Sequence, residues 1–174
     1  MRSAVFLDRD GVINVDVGYP HRIEDFAFIP HAPEAIARIN ASGLLAIVVT
    51  NQSGIARGMY EEADAEAFNA HIQAQLRQHG AHIDGFYLCP YHPDATIARY
   101  RADHPDRKPR PGMIERAIRD FGINRTGSFL VGDRATDIAA AQAADIPGYL
   151  FTGDDLDAFI RPLLAPSRPQ SVNM

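Results

Sequence analysis

Cysteine is almost missing from this chain: Cys89 is the one thiol in 174 residues. No intrachain disulfide can therefore staple the fold, and the composition suits a reducing cytoplasm. Long apolar runs are missing too. No stretch reaches the length of a membrane span, and Met1-Arg2-Ser3 leads into a short apolar segment with no signal-peptide core. Nor is there an excess of basic residues, since 17 Lys and Arg face 22 Asp and Glu for a formal net charge of -5. That balance argues against broad nucleic-acid or anionic-membrane binding. Internal repeats are not apparent. What is present is 46% hydrophobic and 22% charged residues, an ordinary globular mixture. The expectation is a monomeric cytoplasmic protein acting on something small. It would form one domain over residues 1–165 and end in a loose polar tail over 166–174.

Short apolar runs alternate with helix-like segments. Ala4–Leu7, Leu44–Val49, Phe86–Leu88, Ser128–Val131 and Tyr149–Phe151 read as buried strands. Between them, Ile36 and Ile39 mark a helix from about Pro33 that stops at Gly43. Phe68, Ile72 and Leu76 mark a helix over Glu61–His79, and Ile114, Ala117, Ile118 and Phe121 mark another. An alanine-rich helix spans Asp137–Ala144. Such alternation predicts an α/β fold, a Rossmann-like doubly wound parallel sheet with helices on both faces. Two irregular stretches, Val15–Pro33 and Pro90–Pro111, are too short for a separate cap domain.

Chemistry-bearing residues gather at the carboxyl ends of these strands, where open α/β sheets bind ligands. The first strand ends in Asp8-Arg9-Asp10-Gly11, with Asn14 close behind. Residues i and i+2 of a strand project the same way, so both acids could face one site. They suit a hard divalent cation, a carboxylate nucleophile with an acid/base partner, or both. A simple turn is the competing reading. A calcium loop is excluded, because its fifth and twelfth positions would be Val12 and Tyr19. The second strand ends in Thr50-Asn51-Gln52-Ser53-Gly54, which could cradle a phosphate or simply cap a helix. Arg107-Lys108-Pro109 precedes the helix at Gly112, and the fourth strand ends in Gly132-Asp133-Arg134. Their shared position at successive strand ends is what points to a site.

In order and over nearly the whole chain, these motifs resemble the four signatures of the haloacid dehalogenase superfamily of aspartate-nucleophile phosphohydrolases. The strings Phe6–Tyr19, Val49–Gly58 and Arg107–Met113 closely resemble those of the D-glycero-D-manno-heptose 1,7-bisphosphate 7-phosphatases; the histidinol phosphatases share much of this pattern. The resemblance implies that Asp8 attacks phosphorus to form an aspartyl-phosphate, and that Asp10 serves as acid and then base. Magnesium would be held by Asp8, the Asp10 carbonyl and Asp133, with Lys108 and Thr50 stabilising the transferring phosphoryl group. It implies a small phosphorylated sugar as substrate, released from its 7-phosphate. Asp16, Val17, Gly18, Tyr19, Asn51, Gln52, Ser53, Arg107 and Arg134 would recognise it. Asp137 reads as a supporting or helix-capping acid.

Two departures stand out. Arg134 occupies a position where the heptose phosphatases usually carry lysine, and arginine can bind phosphate bidentately. The family's structural zinc loop is degenerate: Cys89, Tyr91, His104 and Asp106 stand at its four ligand positions, and only the first matches. A substitute set of Cys89, His92, His104 and Asp106 could bind zinc, but a loop held by its prolines is the expectation. A phospho-acceptor receiver module has the same fold class. It would need an acceptor aspartate after the third strand, where this chain has Leu88-Cys89-Pro90. Histidinol phosphate or another sugar phosphate is the alternative substrate.

Overall fold

The computed structural model describes residues 1–165; the tail expected over 166–174 lies outside the described residues. Five strands form one parallel sheet: β1 (Ala4–Leu7), β2 (Leu45–Asn51), β3 (Gly85–Cys89), β4 (Phe129–Gly132) and β5 (Gly148–Leu150). Their spatial order is β3-β2-β1-β4-β5. The chain thus runs outward from β1 to β3, then returns to the other flank of β1. This reversal puts the topological switch between β1 and β4, where connections leave in opposite directions and a crevice opens at the carboxyl ends.

The period-2 alternation of strand side chains explains why both faces need cover. Val5, Leu7, Ala46, Val48 and Val131 point to one face. They pack there on α1 (Ala32–Ala41), α3 (Glu62–Gln78) and α6 (Leu156–Leu164), through Ile36, Ile39, Phe68, Ile72, Leu156 and Ile160. Ala4, Phe6, Ile47, Val49 and Leu130 point to the other face. Met113, Ile114 and Ala117 of α4 (Gly112–Phe121) and Ala140 and Ala141 of α5 (Ala135–Ala143) cover them. Every residue of β1 is fully buried, as a central parallel strand requires.

Two elements lie beyond the expected set. A single turn, α2 (Ser53–Ala56), follows β2 directly, and α6 closes the described chain. The apolar spacing Leu156, Phe159, Ile160, Leu163, Leu164 is a helical stripe, but Pro162 within it obscures the pattern. The two irregular stretches contain only one 3₁₀ turn each, Ile23–Asp25 and Ala98–Tyr100. Among the described residues no helix is long and apolar enough to cross a membrane.

Helix α6 is tied to α1 by Asp157. Its carboxylate accepts from Arg38 Nε at 2.8 Å and Nη2 at 3.1 Å, and from Arg161 Nη2 at 2.8 Å. The Arg38 hydrogen bonds, helped by Arg161, hold this acid down at about 2 against the opposing effect of burial. A carboxyl depressed in the folded state stabilises the fold above its unfolded pKa and loses that contribution as pH falls through the folded one. Asp157→Asn is therefore expected to cost about 1–2 kcal/mol at pH 7, the half-exposed arginines being screened by solvent. The gap from the parent should narrow as the pH drops from about 4 towards 2. Urea unfolding at pH 7 and pH 3 reads both numbers; an unchanged gap would refute the assignment.

Candidate active site

Asp8 is the first residue past β1, and its N–H still donates to the Val131 carbonyl of β4 at 3.1 Å. The carboxylate therefore stands at the switch point, 7% exposed. Its Oδ1 accepts from the Arg9 N–H at 2.9 Å and from Lys108 Nζ at 3.0 Å. Lys108 lies a hundred residues further along and is itself 3% exposed. Its ammonium also donates to the Val49 carbonyl at 2.8 Å and to Asp137 Oδ1 at 2.6 Å. An ammonium has three N–H bonds, and here all three are directed at oxygens of fixed position. Lys108 is thus a static positive charge on the cavity floor.

Asn51, at the end of β2, sets where that lysine sits. Its amide nitrogen donates to the Lys108 carbonyl at 3.1 Å, and its oxygen accepts the Lys108 N–H at 3.1 Å. The side chain expected to meet substrate is therefore occupied in holding the lysine loop against the sheet. Asp137 is similarly engaged: its second oxygen accepts the Arg134 N–H at the start of α5 at 3.1 Å. The helix-capping role read from sequence is present, and with it a hold on Lys108 that sequence did not reveal. Gly132 permits this approach, since a Cβ there would meet the Asp137 Cβ at 2.3 Å.

Asp133 completes an acidic group. Asp8, Asp133 and Asp137 each place a carboxylate oxygen within 4.8 Å of the others. Gly11 makes the close approach feasible: its φ is +86°, and a Cβ on it would lie 2.1 Å from Asp133 Oδ2. Burial pushes the Asp8 carboxyl up to about 7, against the opposing pull of Lys108, with Asp137 and Asp10 pushing it the same way as burial. Burial also raises Asp133 above the ordinary carboxylate range. Lys108 moves up as well: burial disfavours its charge, but Asp8 and Asp137 together outweigh that cost. Lys108 thus answers two of the three carboxylates, Asp8 and Asp137, while Asp133 Oδ1 is buried without a hydrogen-bond partner. An all-oxygen, electron-rich group with an unmet acceptor fits a hard divalent cation such as magnesium.

Above this floor a cavity of about 450 Å³ opens. Asp8, Asp10, Thr50, Asn51, Gln52, Ser53 and Lys108 line its base, and Asp16, Gly18, Tyr19, Arg107 and Arg134 its walls. Val17, expected to bind substrate, is not part of the lining and is 54% exposed. Its neighbours turn inward because Gly18 and Tyr19 both adopt positive φ, 86° and 51°, and this leaves Val17 on the outside of the turn. Arg57 and Tyr60 line the cavity without having been expected to. Both follow the short helix α2, whose single turn brings the end of the Ile55-Ala56-Arg57 string back over the site. Arg57 lies over the Tyr19 ring at 5.6 Å. On the opposite wall Arg134 Nη2 reaches Asp16 Oδ2 at 3.5 Å, joining the first loop to the start of α5.

The substitute zinc set does not come together. Among the described residues the converging metal-competent group is the three aspartates, not Cys89, His92, His104 and Asp106. The physical reason is local. His92 Nδ1 accepts the Asp94 N–H and His104 Nδ1 accepts the Asp106 N–H, each at 3.0 Å. The His104 ring stacks on Tyr91 at 4.2 Å, and the Asp106 carboxylate pairs with Arg116 at 3.2 Å. Cys89 is fully buried in the core, and burial pushes its thiol up to about 11.

A central-strand aspartate beside a buried lysine, with a second acid two residues on and a third after β4, defines a phosphohydrolase site of the haloacid dehalogenase class. The comparisons agree. The HAD-hydrolase-like family matches residues 106–160. D-glycero-beta-D-manno-heptose-1,7-bisphosphate 7-phosphatase of Rhodopseudomonas palustris is 42% identical over 94% of this chain and 91% of its own length. The alpha-heptose counterpart from Burkholderia mallei is 46% identical over 87% of this chain and 80% of its own. Among solved structures, a D,D-heptose 1,7-bisphosphate phosphatase from B. bronchiseptica, complexed with magnesium and phosphate, superposes with a TM-score of 0.79 at 29% identity. That match covers 93% of this chain and 98% of the other. The chain belongs to the heptose-bisphosphate phosphatase family of the haloacid dehalogenase superfamily.

Proposed function

We propose that this protein removes the 7-phosphate of D-glycero-D-manno-heptose 1,7-bisphosphate through a phosphorylated Asp8. The observation that carries the reading is the contact between Asp8 and Lys108 at the floor of a cavity walled by arginines. The relatives named above act on this sugar bisphosphate by name, which supports the substrate.

A carboxylate attacking a phosphate is repelled unless positive charge intervenes. Lys108 supplies one such charge, in a position its three hydrogen bonds do not let it leave. Magnesium, held by Asp8, the Asp10 carbonyl and Asp133, would supply the rest by neutralising phosphate oxygens. Thr50 Oγ1 faces the same space and can donate to an equatorial oxygen. Asp10 gives its proton to the departing sugar oxygen, then takes one from the water that hydrolyses the phosphorylated Asp8. Arg57, Arg107 and Arg134 remain to meet the rest of the substrate. Two of them, Arg57 and Arg107, form no ion pair among the described residues.

Phosphate release over a panel tests this: both anomers of the heptose bisphosphate, histidinol phosphate and common sugar monophosphates, each with magnesium and with EDTA. One heptose bisphosphate anomer is expected to exceed every other ester in kcat/KM by at least about 10-fold, and EDTA should abolish its turnover. A higher kcat/KM for histidinol phosphate would replace the substrate assignment while leaving the Asp8 chemistry in place.

A further inference from the structure

Asp10 faces the cavity, but most of what holds it lies beneath. Arg9 is the bulkiest fully buried side chain among the described residues. A buried guanidinium is costly unless its donors are met, and four of its five N–H bonds are. Nε donates to Asp10 Oδ1 at 2.8 Å, and Nη2 to Asp10 Oδ2 at 3.3 Å. Nη2 also donates to the Pro20 carbonyl at 2.9 Å, and Nη1 to Asn69 Oδ1 at 3.1 Å. The flat face rests on Phe68 at 4.5 Å. Arg9 is thus fixed to α3 by two residues and to the first loop by a third.

The free sides of Asp10 are fixed as well. Asn14 Nδ2 donates to Oδ1 at 3.1 Å and Gln52 Nε2 to Oδ2 at 3.2 Å. The Gln52 amide is itself turned by the Tyr60 hydroxyl, which donates to its oxygen at 2.5 Å, so that the NH₂ group faces Asp10 and Thr50. Four donors meet the two oxygens of the carboxylate. Rotation of the group about its last bond is thereby fixed from both edges. The two longer contacts, at 3.3 and 3.2 Å, both fall on Oδ2, so Oδ2 is the oxygen that can release a donor to carry the proton.

We propose that Arg9 is a positioning residue that sets the angle from which Asp10 passes a proton to the leaving oxygen. A purely structural arginine would direct its fork at a buried partner. This one directs it at the carboxylate that opens onto the cavity, 17% exposed. Proton transfer is sensitive to such orientation, since a shift of 10–20° or about 0.5 Å takes a catalytic group out of productive geometry. Gln52 and Tyr60 complete the hold from the far side. Gln52 therefore acts on the acid/base group and Thr50 rather than on the sugar.

The inference rests on the phosphatase reading, and a leaving-group comparison separates the two. An alkyl phosphate needs its departing oxygen protonated, whereas p-nitrophenyl phosphate releases a stable anion that does not. The rate constant kcat/KM reports only steps up to release of the alcohol or phenol. Arg9→Lys keeps the charge but not the fork. It is expected to lower kcat/KM for the alkyl phosphate that the wild type prefers by about 100-fold, and for p-nitrophenyl phosphate by less than about 5-fold. Asn69→Ala removes one support of Arg9 outside the cavity, and should shift the same ratio in the same direction by at least about threefold. Should Arg9→Lys not fold, the Asn69→Ala ratio decides. Equal losses on both esters, or an unchanged ratio in Asn69→Ala, would overturn the role of Arg9. A wild type that hydrolyses neither ester would overturn the phosphatase reading and this inference together.

Discussion

Asp8→Asn is expected to abolish turnover, lowering kcat by at least about 10⁴-fold on every phosphate ester. Asparagine has the shape of aspartate, so the Arg9 N–H and Lys108 Nζ, which now meet Asp8 Oδ1 at 2.9 and 3.0 Å, retain an oxygen acceptor. The change therefore removes the nucleophile without opening the floor of the site. It also removes one of three carboxylates whose oxygens lie within 4.8 Å of one another, of which Lys108 meets only Asp8 and Asp137. The variant should thus unfold no more easily than the parent, in contrast to most substitutions at buried polar sites. Phosphate release and thermal unfolding read the two outcomes, and rapid quenching followed by intact mass should find a phosphoryl adduct on the wild type alone. A variant that turns over normally, or forms the same adduct, would place the nucleophile elsewhere.

What the sequence made legible divides along physical lines. The strands were readable because a parallel sheet covered on both faces needs unbroken apolar runs, and Ala4–Leu7 and Leu45–Val49 supply them. Asp8 was readable because it stands one residue past such a run, at a place where ligand sites form. Lys108 was readable as a member of the site only through its motif. Nothing local says that its ammonium bridges Asp8, Val49 and Asp137, from three different parts of the chain. The same holds for Asn51 and Gln52. The family pattern suggests substrate contact, and nothing local shows that Asn51 also holds Lys108 through one amide N–H and its oxygen, or that Gln52 donates to Asp10 and Thr50. Arg57 and Tyr60 were missed because their place depends on one helical turn, α2, too short to show periodicity. Gly54 was a usable signal there, since a Cβ on it would lie 2.2 Å from the Tyr60 ring.

The second large effect falls on Lys108. Lys108→Met keeps a flexible chain of similar length and deletes the charge, leaving Asp8 and Asp137 buried beside each other with no cation between them. Breaking a buried pair by removing one partner typically costs about 3–5 kcal/mol, because the remaining charge is left uncompensated. Here two carboxylates are left, so the metal-free variant should fall at the upper end of that range in urea unfolding. Magnesium should recover part of the loss, since it binds the folded acids and not the unfolded chain. Turnover should fall on the order of 10³-fold at saturating magnesium, the usual size of losing one preorganised charge from a transferring phosphoryl group. Lys108→Arg preserves the charge but cannot preserve the geometry. A planar guanidinium does not match three oxygens arranged at 3.0, 2.8 and 2.6 Å around one nitrogen. Arginine should therefore restore much of the stability and little of the rate. If arginine restored both, net charge alone would be what the site needs from Lys108, and the three-point hold on its ammonium would be incidental to catalysis.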